Sequence, residues 1–382
     1  MKITQNAFLR KIRNINGGDW LKELKNVLTD ITSDFKNENG ESLLTENKKI
    51  NTAFLPNSPS LEGTNYVFVQ GNGTPLENGT ELLAAYNAAK TMSPSSSNRI
   101  TVIVAPGEYK LVDTFVMDTE FVDLVSLTGN ADVVLDKSLP SSYNNDPFQF
   151  TLSPYDIVDI SPCIIVLNNN IFIKGVSSKR YDSANWDLFE GNGELYLLPI
   201  IITENLPNVI LENCIGGQFS FGSDVDFGSN NLTDSSTYIN CKAATYSFAS
   251  NAEASGTYIN CSVIEEYLVP NSFSGAFGAF GVASGYFYNC SGGSNSFASG
   301  GIASGYFQNC NAYIGAFGDY GTCSGTLVNC TGYEYCFGDT GVLSGKLFYC
   351  RLTTPTSGIF PTVSGGGRTY YCIDGNGNTN NQ

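Results

Sequence analysis

One phrase recurs through the second half of the chain and fixes what it can fold into. Aligned on Cys290, Cys310, Cys330 and Cys350 it reads GVASGYFYNC, GIASGYFQNC, GTCSGTLVNC and GVLSGKLFYC, at a period of 20 residues. Looser copies end at Cys214, Cys241 and Cys261, and another at Cys372. A unit this short cannot enclose a core of its own. It buries its apolar side only against the copies before and after it, which defines a solenoid. In stacked β-coils, matching residues of successive copies lie ~4.8 Å apart.

Each position of the phrase then acquires a structural task. Phe297 stands 13 residues before its Cys, and Phe248, Phe277, Phe317 and Phe337 hold the same place, so their rings should stack into an internal ladder. At period two, Phe307 points inward while Tyr306 and Gln308 point out. Asn309 and its copies Asn213, Asn240, Asn260, Asn289 and Asn329 sit where an amide can bond both its own backbone and its copy in the next coil. The Ser-Gly pairs mark another corner, where glycine can take positive φ. In-register cysteines with parallel side chains would be too far apart for a relaxed disulfide, so they are expected as buried free thiols.

Charge is sparse and uneven. Charged residues are 15% of the 382, and the net charge is −16. No Lys or Arg occurs between Lys242 and Lys346, which excludes a nucleic-acid reader over the repeats and disfavours anionic glycans there. The chain has no histidine, so a metal held along the cysteine row would have no imidazole ligand, and no cofactor or metal is expected. No stretch approaches the ~20 apolar residues of a membrane span. The opening MKITQNAFLRKIRNIN has no apolar signal core, so assembly in a reducing cytoplasm is expected.

Residues 1–62 form a separate segment. Leu21, Leu24, Leu28, Ile31 and Phe35 step by three and four, as in a short coiled-coil seam or an amphipathic helix packed on a neighbour. Residues 63–215 read as irregular first coils, with a cap helix over 80–91 whose N-cap is Thr80 and whose apolar face is Leu82, Leu83 and Tyr86. Residues 216–372 are the regular repeats. Residues 373–382 have nothing to pack and should be disordered.

The run NGTPLENGTELLAAYNAAK, followed by ITVIVAPGEYKL and FVDLVSLTGNADVVLD, resembles the opening of a pectin-lyase-like right-handed parallel β-helix from a tailed-phage tail fibre or tailspike. The repeat SFGxxGxASGxFxNC resembles those of tail-fibre-like proteins. The resemblance implies an all-β solenoid in a virion protein, homotrimeric, docked to other virion proteins through residues 1–62 and binding host surface glycan. A polysaccharide depolymerase on the same fold is the alternative; a cellular adhesin would need an export route.

Candidate sites follow from side-chain chemistry. Asp319 and Asp339 hold equivalent places in consecutive coils, where they could act as a hydrolytic carboxylate pair or lie as turn residues in solvent. Asp224 and Asp226 share a loop insertion. In the insertion 177–199, Arg180, Tyr181, Trp186, Asp187 and Glu190 combine ring faces for sugars with groups that bond hydroxyls. Outward Tyr286 and Tyr306 offer a second sugar platform or a subunit contact.

Overall fold

The computed structural model describes residues 65–137, 163–178, 200–202, 206–217, 220–222, 233–244, 247–250, 252–264, 275–338, 341–353, 363 and 367–381. These belong to one unit, Thr64–Gln382; a second unit, Met1–Gly63, lies outside the described residues and holds the expected anchor segment.

The fold is a parallel β-helix with three walls. Twelve strands, from Asn65–Val69 to Arg368–Tyr370, pair in one parallel sheet, which is the first wall. A second wall runs from Gly107–Leu111 to Ser262–Val263. It continues through single bridges at Ser291 and Asn311 and resumes as a second sheet at Thr331–Gly332. The third wall includes six two-residue strands from Thr233–Asp234 to Val342–Leu343. Such short strands hold because the residues in them pair with those of the neighbouring coils.

Register makes the core. Along the first wall, Leu211, Tyr238, Tyr258, Phe287, Phe307, Leu327 and Leu347 are aligned partners, all fully buried. The expected second ladder is present. Phe248, Phe277, Phe297, Phe317 and Phe337 stack with ring centroids 4.7, 4.8, 4.7 and 5.2 Å apart, and Phe221 extends the row downward. The two ladders meet edge to face, as Phe297 and Phe307 do at 5.8 Å and 89°. Each ring of the second ladder has positive φ, between 53° and 66°. That conformation costs a non-glycine residue about 1–2 kcal/mol. Burying the ring contributes ~1.5–3 kcal/mol and stacking a further ~0.5–1.5, so the ladder wins.

The corner asparagines are also left-handed, with φ of 52–55°. Their amides form an unbroken chain. Asn240, Asn260, Asn289, Asn309 and Asn329 each donate Nδ2 to the Oδ1 of the asparagine one coil earlier, at 2.9–3.2 Å. Asn213 ends the chain on the Gly129 carbonyl at 2.8 Å. Beside them, all eleven cysteines are free and buried, as expected. Cys310 Sγ lies 3.5 Å from the carbonyls of both Phe287 and Gln308, and its equivalents repeat the arrangement. Burial pushes the thiols of Cys163 and Cys323 up to about 12. In the row, burial likewise raises Cys214, Cys261, Cys310 and Cys350, while bonds from adjacent thiols pull Cys241, Cys290, Cys330 and, at the end of the row, Cys372 the other way. Each thiol of the row has a carbonyl acceptor, and no Lys or Arg is buried among the described residues. The direction that holds for the row is upward, toward neutral thiols.

Three expectations need correction. The Ser-Gly glycines do not have positive φ; a Cβ at Gly305 would lie 2.3 Å from the Gly285 carbonyl, so glycine is required by close approach of coils. The cap helix, α1, spans Pro75–Thr91 rather than 80–91. Its N-cap is Thr74, closed by a capping box with Glu77 and followed by proline at the first helical position, a stronger start than Thr80. Leu82 and Tyr86 are buried as expected, and α1 lies so close to Gly107–Leu111 that a Cβ at Gly79 would meet the Lys110 carbonyl at 2.0 Å. The C-terminal segment is ordered into a hairpin, Cys372–Ile373 pairing antiparallel with Thr379–Asn380. Its turn closes on Asp374, whose carboxylate accepts the Asn376 and Asn378 amides at 2.9 and 2.7 Å.

Substitution separates the two tasks of the corner asparagine. Asn309→Gly keeps access to positive φ and loses the amide chain; Asn309→Ala loses both. Chemical denaturation should find the alanine variant about 1 kcal/mol less stable than the glycine variant.

Candidate functional site

On the first wall, outward residues form columns. One column runs Phe172, Ile210, Thr237, Thr257, Tyr286, Tyr306, Thr326, Lys346 and Arg368 in strict register. At its centre lies an open groove of about 540 Å³, lined by four Ser-Gly corners together with Thr257, Tyr286, Tyr306 and Thr326. The lining exists because glycine lets the corners sink toward one another, leaving the tyrosines proud of the surface. Every side chain in it is neutral: serine and threonine hydroxyls and two phenols.

Tyr286 and Tyr306 are brought together as the sequence suggested, with centroids 5.3 Å apart and ring planes parallel. Their mutual stacking covers one face of each ring. Two faces remain, one toward Thr257 and one toward Thr326, each above a small residue that leaves a notch one coil high. The pair is thus a post between two notches rather than a flat platform. The Tyr306 hydroxyl donates to Gln308 Oε1 at 3.4 Å. The groove can hold a ring against an aromatic face and bond its hydroxyls. It has no group for proton transfer at neutral pH and no charge to stabilise an oxocarbenium ion.

Arg180, Tyr181, Trp186, Asp187, Glu190, Asp224, Asp226 and Asp339 lie outside the described residues. Asp319 is fully buried, not a turn residue in solvent. Its Oδ2 would be 3.4 Å from a Cβ at Gly315, and its carbonyl accepts the Gly300 amide at 2.6 Å. Sealed inside the coil, it cannot meet a polysaccharide. Among the described residues no group of three or more His, Cys, Asp or Glu could hold a metal ion.

Sequence reasoning missed two polar clusters. Asp234 is inside the core, accepting from the Tyr258 hydroxyl at 2.9 Å and the Ser236 amide at 3.1 Å. Nothing in the sequence distinguishes it from the turn acids around it. Burial raises its carboxyl above the usual range, against those hydrogen bonds. Asp123 is buried in the first wall, where Arg99 clasps it at 2.9 and 2.5 Å and the Phe172 amide donates at 2.9 Å. Its ligands saturate it, and it reads as structural.

No family model matches the chain, and no curated protein does. Among solved structures the chain is similar to ORF18 of Geobacillus virus E2, with a TM-score of 0.43 and 13% identity. That likeness covers 88% of this chain and 66% of the viral one, so the chain spans just under two thirds of that protein's length.

A raised folded-state carboxyl means that stability is greatest below the unfolded pKa and falls as pH rises toward the folded one. Asp234→Asn should therefore melt no lower than the parent at pH 7 and higher if the carboxyl ionises in place. The gap should close near pH ~3, below the ordinary Asp pKa of ~3.9. A variant that melts lower at pH 7 would instead assign Asp234 a stabilising charge.

Proposed function

We propose that this chain is a virion structural protein of the tail-fibre or tailspike kind, which holds host surface glycan against the first wall of its solenoid. The observation that carries this reading is the groove at Tyr286 and Tyr306. It is uncharged, hydroxyl-rich and bounded by two open aromatic faces, which suits an uncharged saccharide and offers no catalytic acid or base. Residues 1–62 dock the chain to other virion proteins, and three copies associate. The resemblance of NGTPLENGTELLAAYNAAK and the strands after it to phage β-helices supports the same reading. The depolymerase alternative finds no carboxylate in this groove.

Tyr286→Ala and Tyr306→Ala should each weaken binding of a neutral host-surface polysaccharide by about tenfold, as loss of one ring contact worth ~1.5 kcal/mol implies. Both should leave the melting temperature near that of the parent, because the rings are outward. Incubation of the parent protein with capsular or lipopolysaccharide preparations should release no oligosaccharide. Release that survives both substitutions would favour the depolymerase. A second experiment addresses the anchor: a chain lacking residues 1–62 should fold and fail to join the particle, and normal incorporation would remove the docking assignment.

A further inference from the structure

The charge argument that disfavours anionic glycans applies to residues 243–345, which hold no Lys or Arg. It stops at the last two coils. From Lys346 to the C-terminus the chain carries three cations, Lys346, Arg351 and Arg368, against one carboxylate side chain, Asp374. The fold gathers those cations around a single corner. Lys346 and Arg368 are aligned partners at the outward start of adjacent strands. Two residues on, Phe348 and Tyr370 are aligned and stacked at 4.8 Å. At the corner itself, Tyr349 and Tyr371 replace the asparagine of earlier coils and stack at 5.6 Å, 60% and 61% exposed. Past the corner, Arg351 is aligned with Ile373 on the second wall.

Around the coil the order is thus two cations, two aromatic pairs, then a third cation. Among the described residues none of the three cations is in an ion pair; the salt bridges there involve Lys90, Arg99 and Lys174. Asp374 is turned into its own hairpin, accepting from Asn376 and Asn378. Like charges directly opposite on adjacent strands destabilise a sheet. A chain of net −16 that sets its terminal cations side by side, beside exposed rings, has built a local field opposite to its own.

We propose that this end of the solenoid binds an anionic saccharide unit: its carboxylate or phosphate lies between Lys346 and Arg368, and its sugar ring packs on the Tyr349, Tyr370 and Tyr371 rings. A paired ammonium and guanidinium match the two or three oxygens of such a group, and the aromatic rings supply apolar contact for the sugar's C–H face. The site is distinct from the Tyr286–Tyr306 groove, lies on the same wall, and does not depend on that groove's assignment. Together they would read a surface polysaccharide at two places, one by its hydroxyls and one by its charge.

The test uses the full chain and defined probes: an alginate hexasaccharide for carboxylate, a phosphomannan oligosaccharide for phosphate, and cellohexaose as the neutral control. At low salt, calorimetry should find at least one charged probe bound, and any heat from cellohexaose should be the same in the parent and in the variant carrying both Lys346→Gln and Arg368→Gln. The affinity should fall steeply with added salt, as screened charges require. Lys346→Gln with Arg368→Gln should lower it at least about tenfold, while the protein melts no lower because the like-charge contact is relieved. Tyr371→Ala should weaken the same probe, and Tyr286→Ala should not, which separates this site from the groove. Either of two results would overturn the proposal: neither charged probe binding at low salt, or binding unchanged in the double variant. Tighter binding of single-stranded DNA or of phosphatidylglycerol vesicles than of both saccharides would overturn it too, by assigning the corner to another class of partner.

Discussion

The described solenoid depends on holding neighbouring coils at one strand spacing with their corners in register. At that separation there is no space for a Cβ between Gly285 and Gly305, and there is room for each asparagine amide to reach the one before it. Left-handed backbone at the phenylalanine and asparagine corners is tolerated only because the neighbours supply stacking and amide bonds in return. A single coil taken alone would have neither, and would not keep its shape.

The same register that builds the inside also writes the outside. Because a residue that faces out does so in every coil, the surface is a set of columns, and chemistry changes only as the sequence drifts along each one. Along the first wall the drift runs from an Arg99–Asp123 clasp, through hydroxyls and a tyrosine pair, to a cationic end flanked by rings. A wall of this kind carries several different surfaces at fixed intervals along its length, and that spacing is the physical support for the recognition role proposed above.

Much of the interior was legible from spacing alone. Phe297 and its copies, the cysteine row and the asparagine corner could be read because a repeat superposes its own members, so recurrence reveals function without any neighbour being known. Where a residue's task depends on what lies beside it in space, spacing was silent. The Ser-Gly glycines recur as a turn residue would, yet it is the carbonyl of the previous coil that demands them. Thr80 has an acid after it, as an N-cap residue would, while the stronger signal of Thr74, Pro75 and Glu77 lies upstream of it. The tail shows no packing partner in the sequence because that partner, Cys372–Ile373, begins in the preceding coil. Tyr286 and Tyr306 were placed correctly as outward, but only their mutual stacking decides how many ring faces they offer. The cationic corner was hidden by averaging: a net charge says nothing about three residues that register assembles.

The most direct measurement is the position of the sulfur atoms. Anomalous diffraction from a crystal of the intact chain should place the Sγ atoms of Cys214, Cys241, Cys261, Cys290, Cys310, Cys330, Cys350 and Cys372 in one row, with neighbours ~4.8 Å apart along the stacking direction. Sulfur positions dispersed over the molecule, or paired at disulfide distance, would contradict the stacked register and with it the groove, the columns and the charged end.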